Sequence, residues 1–502
     1  MNRLLLLCAM AFAVPLGACN LGPDYARPEM EMPVQYRATE ASATEAWPSE
    51  DWWRGFDSVE LNALIDEART HNLDIAAAVA RVRQADAQVR IAGAAMLPNV
   101  ATTASASWQQ TGSSRGFTGV SRGGSTTSTI DVRSYDFGPF NIAYEVDFWG
   151  RNRAIRQSAM ASAVFSRFDQ QVVALTVVTN VANAWFTALA LADRLVVAQS
   201  NLRDAEQTLA VIRGRLDAGT ASGLDLAQQE SLVATERAII PSLRNQLEQE
   251  LVGLGILVGR PPEAITVRPG SLTTLSLPLV SPGLPSALLQ RRPDVAEAEA
   301  LLVAANFDIK VARAAFFPSI QLTGSYGFSN AALNTLFTPG GTLVSLAAGL
   351  TQPLFDGGVL RGQLEQTRGR YDELLAGYRK AVIQAFTDIE LALTAWRFTT
   401  EQEARQREAV TTAQRAATIA RAQMEAGTID VTTVLQAEIT LLNAEDALVQ
   451  VRLLRVQALL NLYKAMGGGW IAPSGPIEDQ FPGLRPGIAP GGFALPVGGN
   501  LK

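Results

Sequence analysis

Few residues in this chain are equipped for chemistry. The one histidine, His71, stands beside Asn72 with no second ligand or base close in sequence, and reads as an ordinary surface or helix-end residue. The only cysteines are Cys8 and Cys19. No Walker A loop, Rossmann glycine pattern after a strand, G-x-S-x-G elbow or H-E-x-x-H helix occurs. Catalytic and metal-ligating residues are therefore none, and an enzyme is not expected. What remains is a pair of acids, Asp225 and Asp430, each shortly after an Ala-Gly-Thr: Ala218, Gly219, Thr220 and Ala426, Gly427, Thr428. An acid there can line a charged opening, or simply favour a helix start through the helix dipole.

The chain ends say where such residues work. Met1 to Arg3 form a short positive segment and Leu4 to Val14 an apolar run of 11 residues, a signal peptide too short to span a bilayer. Leu16-Gly17-Ala18-Cys19 follows and resembles the bacterial lipobox, in which the cysteine is lipidated and becomes the new N-terminus. Cys19 is thus the expected lipidation site, and a covalent lipid is the only non-protein group expected. Asn20, not Asp, comes next, and the resemblance then implies the outer membrane. Cys8 leaves with the signal, so no thiol remains for disulfides or metal.

The net charge of −6 becomes −7 when Arg3 is removed (−6 − 1), which speaks against nucleic acid as a partner. Aromatics are 7%, and long stretches are rich in Ala, Gln, Arg and Glu, a composition of long helices. No segment after the signal has 18 consecutive apolar residues, so any crossing of a membrane falls to strands.

Those helices and strands occur twice. Residues 72–100 align with 292–320, with Pro98 on Pro318 (318 − 98 = 220). Phe148-Trp149-Gly150 aligns with Phe355-Asp356-Gly357 (357 − 150 = 207), and the Ala-Gly-Thr turns with each other (427 − 219 = 208). The first copy therefore holds 13 extra residues (220 − 207), placed in the Gly/Ser/Thr-rich stretch 111–129, an exposed loop.

Each copy predicts the same order of elements. A helix, roughly 58–96 or 285–316, ends at Pro98 or Pro318. Two strands of about ten residues follow. Val100, Ala104, Ala106 and Trp108 alternate with Thr103, Ser105 and Ser107, and Phe140, Ile142, Tyr144 and Val146 with Asn141 and Glu145; Ile320, Leu322, Tyr326 and Phe328 repeat the pattern. The fourth strand, near 343–355, contains Gly349 and Pro353, and a bulge or irregular end is expected there. Residues 151–213 then lack Gly and Pro over 63 positions, a helix on the order of 95 Å. Return helices at 223–258 and 430–466 complete two long hairpins, with Gly219 and Gly427 closing one helix at the tip and Thr220 and Thr428 beginning the next turn.

Four strands cannot close a barrel, which needs at least about eight, so either the strands stay outside the membrane or several copies share one barrel, which the lipid anchor and the alternating, aromatic-bearing strands favour. The lipobox, "GPDYARP" at 22–28, "DFWG", "LFDGG" and the twin turns together resemble the TolC-like outer-membrane factors, in their lipoprotein, NodT-type multidrug efflux branch. The resemblance implies a mainly α fold with membrane β, an internally duplicated strand/long-helix repeat, and a homotrimer forming a 12-stranded outer-membrane β-barrel continued by a periplasmic α-helical barrel. The expected division is 1–18 signal, 19–57 lipidated equatorial segment, 58–261 first repeat, 262–284 linker, 285–466 second repeat and 467–502 equatorial tail. It implies the exit duct of a tripartite efflux pump, passively conducting drugs or other small molecules, with a periplasmic membrane-fusion adaptor and an inner-membrane transporter of RND type as partners.

Members of the family close the periplasmic mouth just after the tip. Where the TolC pattern has two aspartates, alignment through "LLNA" (441–444) places Thr433 and Gln436, so the candidate gate here is Asp225, Asp430, Thr433 and Gln436. The tip residues Ala218, Gly219, Thr220, Ala426, Gly427 and Thr428 are the expected adaptor contact. Two other readings remain: a duct for type I protein secretion, and a periplasmic coiled-coil adaptor lipoprotein, which the duplication argues against.

Overall fold

A computed structural model describes residues 22, 25–31, 36–37, 47–113, 128–265, 270–278, 288 and 291–470. Cys19, the signal segment, most of the 111–129 loop and the tail beyond Trp470 lie outside the described residues. The helices are α1 (Val59–His71), α2 (Leu73–Ala94), α3 (Arg151–Asp217), α4 (Gly223–Val258), α5 (Pro293–Ala314), α6 (Val359–Glu425) and α7 (Val431–Ala465). The strands are β1 (Asn99–Ser113), β2 (Ser128–Val146), β3 (Ser319–Asn330) and β4 (Thr342–Thr351). The chain divides into two compact units. One contains Gln84–Ala163 and Ala300–Leu375; the other contains Pro28–Arg83, Val164–Glu299 and Ala376–Lys502.

The first unit holds one antiparallel sheet in the order β1-β2-β3-β4. Cross-strand pairs put Val100 with Ile142, Tyr144 with Leu322, and Tyr326 with both Phe140 and Val344, all on one face. That face is open: Trp108 is 65% exposed, Val344 64% and Leu350 66%. The opposite face carries Ser105, Asp136, Asn141, Gln321, Thr323 and Ser325. The alternation read from sequence is therefore the alternation of the sheet.

Three expectations change. The first-copy helix is two, because Asn72 breaks it and caps α2, its Oδ1 accepting from the Asp74 and Ile75 N–H groups at 2.8 and 3.0 Å. The strands are not uniformly ten residues: they have 15, 19, 12 and 10, the longer two flanking the inserted loop. Of the bulge or irregular end expected in the fourth strand, only the early end is present. β4 pairs without a break and ends before Pro353, whereas the register slips in β2 between Phe137 and Phe140. Pro139 lies inside that slip and has no N–H to give the ladder.

In the second unit, Trp52, Phe56, Phe186 and Tyr463 anchor a buried core, with the Trp52 and Tyr463 rings stacked at 4.6 Å. Helix α3 has a stretch of 18 residues with mean hydropathy 1.6, of which 56% is buried inside the protein. Its apolar residues, including Val177, Val181 and Leu189, belong to that core. The duplication shows in the packing here. Asn72 Nδ2 donates to the Leu257 carbonyl at 2.8 Å, and its repeat equivalent Arg292 donates through Nη1 to the Ala465 carbonyl at 3.2 Å (257 + 208 = 465).

Candidate functional site

The two tips are built alike. At the end of α3, Gly219 takes φ +76°, its N–H donates to the Leu216 carbonyl at 2.9 Å, and the Thr220 N–H donates to the Arg215 carbonyl at 2.7 Å. At the end of α6, Gly427 takes φ +74°, with the matching bonds to Met424 (2.9 Å) and from Thr428 to Gln423 (2.9 Å). This is a Schellman closure, and the left-handed residue must be one without a Cβ penalty. The threonines do not begin the next helix as expected. Their hydroxyls donate back to the same carbonyls, Thr220 to Arg215 at 3.1 Å and Thr428 to Gln423 at 3.0 Å, and so finish the helix before.

The next helices start two residues later, at Ser222 and Asp430. In the first copy the Ser222 hydroxyl accepts from the Asp225 N–H (3.2 Å), while the Asp225 carboxylate accepts from the Ser222 N–H (2.8 Å) and hydroxyl (2.9 Å). In the second, Asp430 accepts from the N–H (2.8 Å) and hydroxyl (2.6 Å) of Thr433. Acid and hydroxyl have exchanged places: Ser222 aligns with Asp430 and Asp225 with Thr433 (222 + 208 = 430, 225 + 208 = 433). The Thr433 hydroxyl, and after it the Thr433 N–H, hold the Asp430 carboxyl below the usual aspartate value. Both candidate gate acids thus serve their own helix starts, each with partners in its own turn, and Gln436 is exposed one turn further on.

Sequence reading missed the layer next to the turns. Arg421 Nε donates to Glu438 at 2.8 Å, and the same carboxylate oxygen accepts from the Thr208 hydroxyl at 2.7 Å. Glu438 is 2% exposed. The offset of 208 turns this pair into Arg213 and Glu230, which also meet at 2.8 Å but in the open, at 59% and 46% side-chain exposure. Arg215 ties the two tips together, Nη1 donating to the Met424 carbonyl at 2.6 Å. Applying the repeat offset to charged residues would have found the pairs; their burial has no sequence signal.

The sheet of the first unit is a separate feature. One face is apolar and open, the other is polar, and two aromatic clusters flank β3: Phe137, Phe328 and Phe337 level with its last residues, and Phe148, Trp149 and Phe317 beside its start. An apolar band with aromatic girdles is the outer surface of a membrane barrel. The pattern of the outer membrane efflux protein family matches residues 64–260 and 284–468, one match in each repeat. The chain belongs to this family.

The pyoverdine export outer membrane protein OpmQ of Pseudomonas aeruginosa is 40% identical over 456 residues, covering 91% of this chain and 95% of the relative. The cation efflux system protein CusC of Escherichia coli (strain K12) is 29% identical, over 91% of this chain and 98% of the relative. Among solved structures, the outer-membrane channel OprN superposes with a TM-score of 0.81 at 27% identity, covering 90% of this chain and all of that one. The open state of the Neisseria gonorrhoeae MtrE outer membrane channel gives 0.79 at 28% identity, over 90% and 98%. This efflux protein is accordingly an outer-membrane channel, the outer-membrane component of an efflux system, with the mainly helical, duplicated fold of those channels.

Proposed function

We propose that three copies of the chain share one twelve-stranded barrel in the outer membrane and that their helical hairpins form the periplasmic part of a duct. The observation that carries this is the sheet: four strands, an apolar face and two free edges, β1 and β4, which lipid would leave without hydrogen-bond partners. Pairing β1 of one copy with β4 of the next removes every edge. Intact protein that ran as a monomer in mild detergent would exclude the shared barrel.

In this reading Cys19 carries the lipid anchor, and loss of incorporated palmitate in Cys19→Ala tests it. The tips around Ala218 and Ala426 dock a periplasmic adaptor, which links the duct to an inner-membrane transporter of the RND type. Support comes from the small, exposed alanines beside each closing glycine, which allow a partner helix to approach. Photo-crosslinkers at Ala218 and Ala426 that captured no adaptor in cells would count against it. Asp225 and Asp430 line the mouth, and unchanged single-channel conductance in Asp225→Ala and Asp430→Ala would remove them as gate residues. The cargo is a small secreted molecule, since the relatives that are 40% and 37% identical are both named for pyoverdine export. Retention of such a molecule by a strain lacking this chain is the corresponding test.

A further inference from the structure

The polar face of the sheet carries one charge that its structure does not need. Asp136 lies at the middle of a single cross-strand row, paired with Ser105 on β1 and with Ser329 on β3. Its Oδ2 accepts from the Ser105 hydroxyl at 3.2 Å and from Ser134 at 2.8 Å, and Ser329 donates to the carboxylate as well. Three hydroxyls from three strands therefore fix one carboxylate. An asparagine oxygen would accept from the same serines, so hydrogen bonding across the row does not require the negative charge.

Among the described residues the carboxylate also has no ion pair. On the described polar face of the four strands the ionisable side chains are Asp136 and Glu145. Glu145 has Arg151 at 3.7 Å. Arg133, near Asp136 in sequence, alternates onto the apolar face opposite Trp108. Two residues beyond Asp136, β2 slips register at Gly138 and Pro139, and Asn141 closes over the slip by donating to Thr103 at 3.0 Å and to the Gly138 carbonyl at 3.1 Å. A bulge increases local bend and twist and re-aims neighbouring side chains. The second copy has no counterpart, since the equivalent of Asp136 is Leu343 (136 + 207 = 343).

We infer that Asp136 is a specificity-determining residue of the outer-membrane pore: one serine-held carboxylate per chain, three at one level around the axis, that favours cations over anions in the barrel lumen. The inference rests on the shared barrel proposed above, which turns the polar face inward. Rings of acidic side chains raise the local concentration of cations and exclude anions, an effect that salt screens within about 10 Å at 0.1 M and about 3 Å at 1 M.

The test uses the full-length protein in planar bilayers, with the K⁺/Cl⁻ permeability ratio taken from reversal potentials in a KCl gradient near 0.1 M. Asp136→Asn lowers the ratio by about twofold or more, Asp136→Lys carries it below 1, and both differences shrink near 1 M salt. Ser105→Ala with Ser134→Ala, which frees the carboxylate without removing it, lowers the ratio by less. Asp131→Asn, on the other face, leaves it unchanged. A ratio in Asp136→Asn equal to that of the parent protein overturns the inference. Asp136→Cys separates this from failure of the barrel itself, because Cys8 and Cys19 are the only other cysteines. Modification by an anionic, water-soluble thiol reagent places the side chain in the lumen. No modification in the assembled protein overturns the lumen-facing reading and the inference with it.

Discussion

The two tips of this channel are the same turn made with different residues. The first copy starts its return helix with a serine cap and an aspartate three residues on, the second with an aspartate cap and a threonine three residues on. The geometry survives the exchange because in both copies the capping side chain, Ser222 or Asp430, accepts from the N–H three residues on, and only the position of the carboxylate differs. One layer deeper the residues are the same, arginine and glutamate at equivalent positions, and the environments differ. Arg213 and Glu230 meet in solvent, whereas Glu438 is enclosed beneath Thr208 and Arg421. Local structure tolerates substitution here, and burial is what distinguishes the copies.

The strongest challenge to the equivalence lies at the other ends of the hairpins. Gly259 and Gly467 take φ of +80° and +83°, and a Cβ at either would run into a backbone carbonyl, that of His71 or of Arg291. Gly259→Ala and Gly467→Ala should each destabilise by at least about 3 kcal/mol, left-handed strain and overlap together. Midpoints of thermal unfolding in detergent check this, and a large difference between the two would break the structural match.

Glu438→Ala removes the carboxylate that the Thr208 hydroxyl and Arg421 share, leaving Arg421 only Asp204 at 3.6 Å, and should weaken the tip by about 2 kcal/mol. The same change at Glu230 should cost under about 1 kcal/mol, as an exposed pair does. Local opening free energies from hydrogen exchange of α7 and α4 amides measure both, and equal values would show that burial does not separate the copies. Gly219→Ala and Gly427→Ala meet nothing within 4 Å and so report strain alone, about 1–2 kcal/mol each and the same at both tips.

Smaller still are the caps. Ser222→Ala should cost about 1 kcal/mol at its helix start. Asp430 gives the second cap a pH dependence. Its folded carboxyl lies below the unfolded aspartate value of about 3.9, so its stabilisation is present above that pH and is lost as pH falls through the folded value. Exchange at the α7 N-terminus should therefore rise on acidification below about pH 4, and should not do so in Asp430→Ser. The exchange Ser222→Asp with Asp225→Thr, which writes the second tip into the first, should leave tip stability within about 0.5 kcal/mol of the parent.

Much of this was legible beforehand because it is periodic. Alternation at two fixed the faces of β1, β2 and β3; the absence of Gly and Pro over 151–213 fixed the long helix; and the glycines of the twin turns fixed where it ends. What escaped was whatever depends on a competing local bond. Asn72 splits a helix because its side chain can cap, Pro139 breaks a ladder that a glycine-containing β4 keeps, and Thr220 and Thr428 reach back to the helix behind them. A sequence pattern gives the options of such residues and not the choice among them.

By itself the chain determined its duplication, its two kinds of element and the resemblance that its motifs carry, because these follow from spacing along one dimension. Only the tertiary structure decided that Glu438 is enclosed while Glu230 is not, that Asp136 stands in one row with Ser105 and Ser329, and that Arg215 joins one tip to the other. Each of these joins residues that are far apart in sequence, in different helices or strands. Their energies depend on what excludes water around them, which no pattern of residue types along the chain can specify.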